Sequence, residues 1–359
     1  MNIDMILWIG AAAAGVGVAA KAIPSLVLFA GFTYPNAKFS AMGSPYIEKK
    51  SLTPLVNSDD LDRFKNNVTS RDFTTKGDTV AAVQQSIDAS LVAFIHMAQD
   101  DSPDSVAPFY DVYLQKLDAR AVKEIIKAAM RGEPIEEQQM HSRWGAAFAR
   151  EMQQVEPGER EALLSVLTAF DMHQVRDLVA DDAAPTLIEY AVDRHIMAAL
   201  KEADLPRPTR HTRDIFIKRL TDIMNLKAIF RAKYYGVPEV ENLLFGEGRE
   251  LAGWTLEHML KIDSISEIIS LLEGTTYIEL LRDAVPRFEE QGVPALEMAL
   301  DRQLLHVVAD LARDDTMGLG TGIRFTVEKE YEARNLKVIA KGVAEGMPPE
   351  KIWDLVVMT

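Results

Sequence analysis

Three stretches of this 359-residue chain align without gaps, and that recurrence restricts the fold more than any other feature. They are DARAVKEIIKAAMRGEP from Asp118, DIMNLKAIFRAKYYGVP from Asp222 and EARNLKVIAKGVAEGMP from Glu332. Counting from the acidic residue, position +4 holds Val122, Leu226 and Leu336, and position +5 holds Lys123, Lys227 and Lys337. Position +7 is always Ile, +9 is Lys127, Arg231 or Lys341, +14 is Gly and +16 is Pro. A second block precedes each copy: Ile87-Asp88 by 30 residues to the aspartate, Val192-Asp193 by 29 and Leu300-Asp301 by 31. Two blocks recurring in the same order and spacing predict three homologous helical units with a period of about 105 residues.

The repeated unit has a direct physical reading. Positions +4, +7 and +8 form one apolar helical stripe, and +5 and +9 are neighbours on an adjacent face. The cations at +9 approach the later turns, where they suit the helix dipole. Gly132, Gly236 and Gly346 at +14 are natural helix stops, and Pro134, Pro238 and Pro348 suit the start of a following helix. An aspartate repeated in an apolar context favours a partner. The expectation is that Asp88, Asp193 and Asp301 pair with Lys123, Lys227 and Lys337 across the two helices of each unit; the alternative is that both sets are solvated.

Strand signals are scarce beyond residue 33, and apolar spacings of three and four abound, so the body reads as all-α. Breaks are expected near residues 99–107, 132–139, 204–210 and 314–322.

Known catalytic signatures do not occur in the sequence. Phosphate-loop, H-E-x-x-H and G-x-S-x-G motifs are absent. The seven histidines have no metal-ligand spacing, and with no cysteine, thiolate metal sites, disulfides and thiol nucleophiles are excluded. Gly318, Gly320 and Gly322 resemble part of a dinucleotide loop but lack a strand before them, and read as an interhelical loop. No catalytic residue, metal or cofactor is expected. The formal net charge of −15 argues against nucleic acid as a partner, while leaving room for a local basic patch.

One segment departs from this soluble composition. Residues 5–20 carry no charged side chain, and residues 22–32 are apolar again apart from Ser25. As a helix, residues 3–20 would span roughly 27 Å, just enough for a bilayer. Lys21 and Lys38 on its C-terminal side would leave the body in the cytoplasm. The segment reads as a helix inserted in a membrane or in a membrane ring; the alternatives are a buried soluble helix and an uncleaved leader.

The residues also carry a family likeness. Tyr34-Pro-Asn36-Ala37-Lys38-Phe-Ser-Ala41-Met42 resembles the Y-x-N-A-R-x-x-A-M opening of the C subunits of archaeal A-type ATP synthases, a family similar to the d subunits of vacuolar (V-type) ATPases. The stretches MNLKAIFRAKYYGVP, LLEGTTY (residues 271–277) and EKEYEARNLKVIAKGVAEGMPPEKI resemble further segments of that family. The likeness covers about residues 34–359, with Lys38 where the family pattern has Arg. It implies three similar helical domains in a funnel with pseudo-threefold symmetry. It also implies a non-catalytic central-stalk role on the cytoplasmic face of the cell membrane, coupling the rotor shaft subunits to the membrane rotor ring. Nucleotide chemistry would then lie on other subunits.

The expected organisation is residues 1–33 as an apolar helix, followed by repeats over 34–145, 146–250 and 251–359. The apolar leader, including Ile6, Leu7, Trp8 and Ile9, is expected to contact the ring, with lipid contact through residues 3–30 also open. The repeated Asp and Lys residues are structural or interface candidates. Two rival readings are a membrane-associated helical adaptor, whose usual periods of about 34–47 residues are shorter, and a membrane-tethered enzyme.

Overall fold

The computed structural model describes residues 25–68, 72–237 and 240–359. Among these residues every regular element is a helix, so the all-α reading holds. The apolar stretch 5–20, with Ile6, Leu7, Trp8 and Ile9, lies outside the described residues.

Three short helices, α1 (Thr33–Met42), α2 (Lys49–Val56) and α3 (Leu61–Asn67), precede the long α4 (Val80–Asp101). The long α5 (Ala107–Met130) is followed by α6 (Arg143–Met152), α7 (Arg160–Ala169), α8 (His173–Ala180) and the long α9 (Pro185–Glu202). Next come α10 (Arg207–Tyr235), the shorter α11 (Gly253–Leu260), α12 (Ile265–Ser270) and α13 (Ile278–Gln291), and the long α14 (Val293–Asp314). The chain closes with α15 (Gly320–Ala344) and α16 (Pro349–Trp353).

The six long helices α4, α5, α9, α10, α14 and α15 carry all six repeated blocks. Their ends follow local chemistry. Thr79 caps α4 by accepting a hydrogen bond from the Ala82 amide. Gly132, Gly236 and Gly346 have φ of 67°, 66° and 65°, the left-handed conformation that ends a helix at little cost for glycine. The prolines behave less uniformly. Pro348 precedes α16 as its N-cap, but Pro134 begins an irregular stretch, and Pro238 lies outside the described residues. The expected interhelical loop at 318–322 is also shorter than its glycines suggest. Gly320 and Gly322 already belong to α15, where Gly322 leaves room for the Tyr110 hydroxyl.

Packing couples the blocks out of step with their order in the sequence. Helix α5 packs along α9, α10 along α14, and α15 along α4. Each lysine-bearing block therefore lies beside the aspartate-bearing block of the next copy, and the last copy returns to the first. Helices α14 and α15 also pack closely on each other. A core running from Val122 to Ile196 serves α5 to α9. A larger core joins the chain's first third and α10 to its last third, and in it Phe94 on α4 and Phe325 on α15 meet edge-on. By length and hydropathy α4 alone among the described helices could cross a membrane. Its apolar face, including Val83, Ile87 and Leu91, is instead buried in this core.

The three turns that join α4 to α5, α9 to α10 and α14 to α15 gather at one end. Thr212 near the start of α10 donates to Asp315 in the last turn at 2.7 Å, and Phe109 packs edge-on against Phe216. Asn36 on α1 donates to the carbonyls of Thr316 and Gly318, and Gly31 abuts Pro103. The first described residues, 25–31, are thus held at this turn end. Leu26, Val27, Tyr34 and Met317 expose apolar surface there.

Candidate functional site

The repeated acids and cations come together as pairs between helices. Lys123 on α5 reaches Asp193 on α9 at 2.6 Å, Lys227 on α10 reaches Asp301 on α14 at 2.5 Å, and Lys337 on α15 reaches Asp88 on α4 at 2.5 Å. The sequence order predicts pairing inside each unit, but every lysine takes the aspartate of the following copy. The cause is the packing phase: the antiparallel neighbour that faces each repeated lysine belongs to the next copy, although α14 and α15 also pack on each other.

The three pairs differ in depth. Asp301 is 3% exposed and also accepts from Arg334 and from the Tyr331 hydroxyl. Burial pushes its carboxyl up, but Lys227 and Arg334 overcome that and hold it down at about 2. At Asp193 burial outweighs Lys123, and the carboxyl is raised. Asp88 and Lys337 are each about one-third exposed. The cations at +9 extend two of the pairs, Lys127 to Glu189 and Arg231 to Glu297, each acid one turn before the paired aspartate. In the closing pair that position holds Gln84, which donates to the Lys337 carbonyl.

Position zero of the repeat does a different job. Asp118 is buried and accepts from the amides of His141 and Ser142 and from the Ser142 hydroxyl. Asp222 accepts from the amides of Arg249, Glu250 and Leu251 and from the Tyr277 hydroxyl. Glu332 accepts from the Tyr46 amide at 2.8 Å and lies 2.8 Å from the Lys329 ammonium. In each case a helix-borne carboxylate anchors a distant backbone segment, satisfying amides that burial would otherwise leave unpaired. These residues stand out in the sequence as alignment anchors, but nothing there marks them as loop anchors.

The Glu332 site is the most deeply buried charge cluster. The Lys329 ammonium is fully buried, 3.1 Å from Asp72 and within 6 Å of the ring centres of Phe73, Phe94 and Phe325. Burial pushes the Glu332 carboxyl up to about 7 despite Lys329 and the Tyr46 amide.

An open groove of about 780 Å³ lies between α4, α5 and α15, with Asp88, Lys337, Arg120, Glu330, Arg334 and Lys341 among its walls. Glu330 is held by Lys116 at 2.6 and 2.7 Å and by the Tyr113 hydroxyl. Burial alone would raise the Glu330 carboxyl, but Lys116 lowers it. Asp88, Lys337, Glu330 and Arg334 in its walls are thus all engaged in ion pairs. A nucleophile hydrogen-bonded to a base, which acyl or phosphoryl transfer would need, is not among these pairs. Among the described residues no group of three or more His, Asp and Glu side chains is placed to hold a metal ion. This arrangement ties neighbouring helices together.

Comparison with known proteins points the same way. The family model described as ATP synthase (C/AC39) subunit matches residues 35–355. The chain is 25% identical to the C subunit of the A-type ATP synthase of Pyrococcus horikoshii, with 90% of each chain covered. It is 27% identical to that of Methanothermobacter thermautotrophicus, over 98% of this chain and 94% of the relative. The corresponding protein of Methanocaldococcus jannaschii is 26% identical, over 91% and 86%.

Proposed function

The chain belongs to the ATP synthase (C/AC39) subunit family, and on that premise we propose that it is a non-catalytic central-stalk subunit of a rotary A-type ATP synthase. In this role it couples the rotor shaft to the membrane rotor ring on the cytoplasmic face of the cell membrane, while nucleotide chemistry takes place on other subunits. Torque transmission requires a stiff body with broad interfaces, and six long helices locked side by side supply one. The recurrence of a Lys–Asp pair at all three helix pairs supports three related units arranged about a pseudo-threefold axis as a funnel.

The observation that carries the orientation is the turn end. Residues 25–31 sit there, beside the exposed Leu26, Val27, Tyr34 and Met317. The apolar stretch 5–20 continues from that point in the sequence. We assign this end to the ring, with the leader entering the ring lumen and Ile6, Leu7, Trp8 and Ile9 as contacts. Removing residues 1–30 should then weaken retention on isolated rotor rings while leaving binding of the shaft subunits intact. Unchanged retention in both detergent and lipid defeats the insertion. A body that binds neither ring nor shaft defeats the coupling role.

A further inference from the structure

A second groove, of about 570 Å³, lies between α9, α10 and the segment 245–249. Its charge runs against the rest of the chain. Arg194, Lys201, Arg213, Lys218 and Arg249 line it, with His211 beside them, against two carboxylates, Asp214 and Glu247. Both carboxylates are engaged: Asp214 accepts from Arg213, and Glu247 accepts from the Gly253 amide. Lys201, Lys218 and Arg249 have no carboxylate partner among the described residues, although the chain carries fifteen more acids than bases.

Arg194 stands at the border of this groove and a neighbouring cleft. It is half-buried and bonds only neutral groups: the carbonyls of Asn242 and Leu244 and the side-chain oxygen of Gln174. Burial lowers its affinity for its proton, with only a through-space contribution from Asp193 opposing that. Its guanidinium is thus engaged on the neighbouring cleft lined by Gln174, Asn242 and Leu244, which leaves Lys201, Lys218 and Arg249 as the open cations of the groove. Between the cations, Ala198, Ile215 and Phe245 supply apolar surface. The occupant that matches both features is an amphiphile with a phosphate headgroup.

The groove's position selects the source. Lys201 and His211 stand at its turn-end mouth, and Thr212 next to His211 bonds Asp315. The adjoining Thr316 carbonyl accepts from Asn36, shortly after residues 25–31 in the chain. We propose that this groove binds the headgroup of an anionic phospholipid from the membrane facing the turn end. The choice of a membrane lipid rests on the orientation given above; the anion site itself rests on the groove.

The test uses the full chain and its variant K201A/K218A/R249A. Flotation is measured with vesicles of phosphatidylcholine alone and of phosphatidylcholine mixed with phosphatidylglycerol. Wild-type chain should favour the mixed vesicles, and the triple variant should lose affinity for them on the order of a hundredfold, since each cation near an anionic surface contributes about fivefold. Equal binding to both vesicles, or a variant that floats like the wild type, overturns the proposal. So does inorganic phosphate that releases the protein from mixed vesicles at unchanged ionic strength, which would mark a site for soluble phosphate. Ring retention is scored separately: a chain lacking residues 1–30 that still selects anionic vesicles through these three cations would retain the lipid site even where ring insertion has failed.

Discussion

Lys337 and Asp88 stand 249 positions apart in the chain, yet their charged atoms lie 2.5 Å apart. This contact joins α15 to α4, so the series of helix pairs that begins after α4 returns to it. The last of the long helices is thereby tied to the first.

The three equivalent pairs should nonetheless differ in energetic weight. Both partners of the closing pair are about one-third exposed, so water screens them, and Asp88→Ala should cost less than about 1 kcal/mol. Asp301 is buried and serves Lys227, Arg334 and Tyr331 at once. Asp301→Ala should cost about 3 kcal/mol, at the low end for breaking a buried pair because Lys227 and Arg334 keep some contact with water. Urea denaturation of the two variants measures the contrast, and equal midpoints would refute it.

Asp301 also makes a prediction about acid. Its carboxyl titrates at about 2 in the folded chain, against about 3.9 in an unfolded one. The depressed value means that its stabilisation is fully present above about pH 4 and is lost as pH falls toward 2. Asp301→Asn should be less stable than wild type at neutral pH and should flatten that part of the acid transition. A variant with the same acid profile as the wild type would show that other carboxylates govern it.

Glu332 has the opposite sign. Burial raises its carboxyl to about 7, whereas an unfolded glutamate titrates near 4.3. The folded state therefore binds the extra proton between these values, and stability declines as pH rises from about 4 through 7. Glu332→Gln preserves an acceptor for the Tyr46 amide and removes the titration. Its stability should vary less than that of wild type across this window. A steeper slope in the variant would show that the Lys329 ammonium keeps Glu332 ionised throughout.

Much of this architecture is legible without coordinates. The +14 glycines end their helices with positive φ, and the repeated lysines and aspartates do meet. What the repeat cannot show is phase. Sequence adjacency makes Asp88 and Lys123 look like partners, but a turn as short as 203–206 fixes only which ends meet, and packing decides which helices lie alongside. The roles of Asp118, Asp222 and Glu332 are hidden for a related reason. Their backbone partners leave no residue-type signature and come from segments 23 to 286 positions away. The groove between α9 and α10 is foreshadowed only as a local basic patch, because its cations come from three separated segments.

The Asp222 anchor leaves one sharp steric consequence. Gly248 passes so close to it that a Cβ there would lie 1.8 Å from the Asp222 Oδ1 and 2.9 Å from the Lys218 carbonyl oxygen. Neither neighbour has room to yield: the carboxylate is held by the amides of Arg249, Glu250 and Leu251 and by Tyr277, and the carbonyl belongs to helix α10. Gly248→Ala should therefore displace the loop and cost at least the ~1–3 kcal/mol typical of overpacking. Asp222→Asn should act on the same amides by a different route, since its NH₂ group cannot accept from them. Hydrogen exchange at Arg249, Glu250 and Leu251 should speed up in both variants, while the Asp118-anchored amides of His141 and Ser142 keep their protection. Unchanged exchange at the first three amides in Gly248→Ala would mean that the loop does not depend on this close approach.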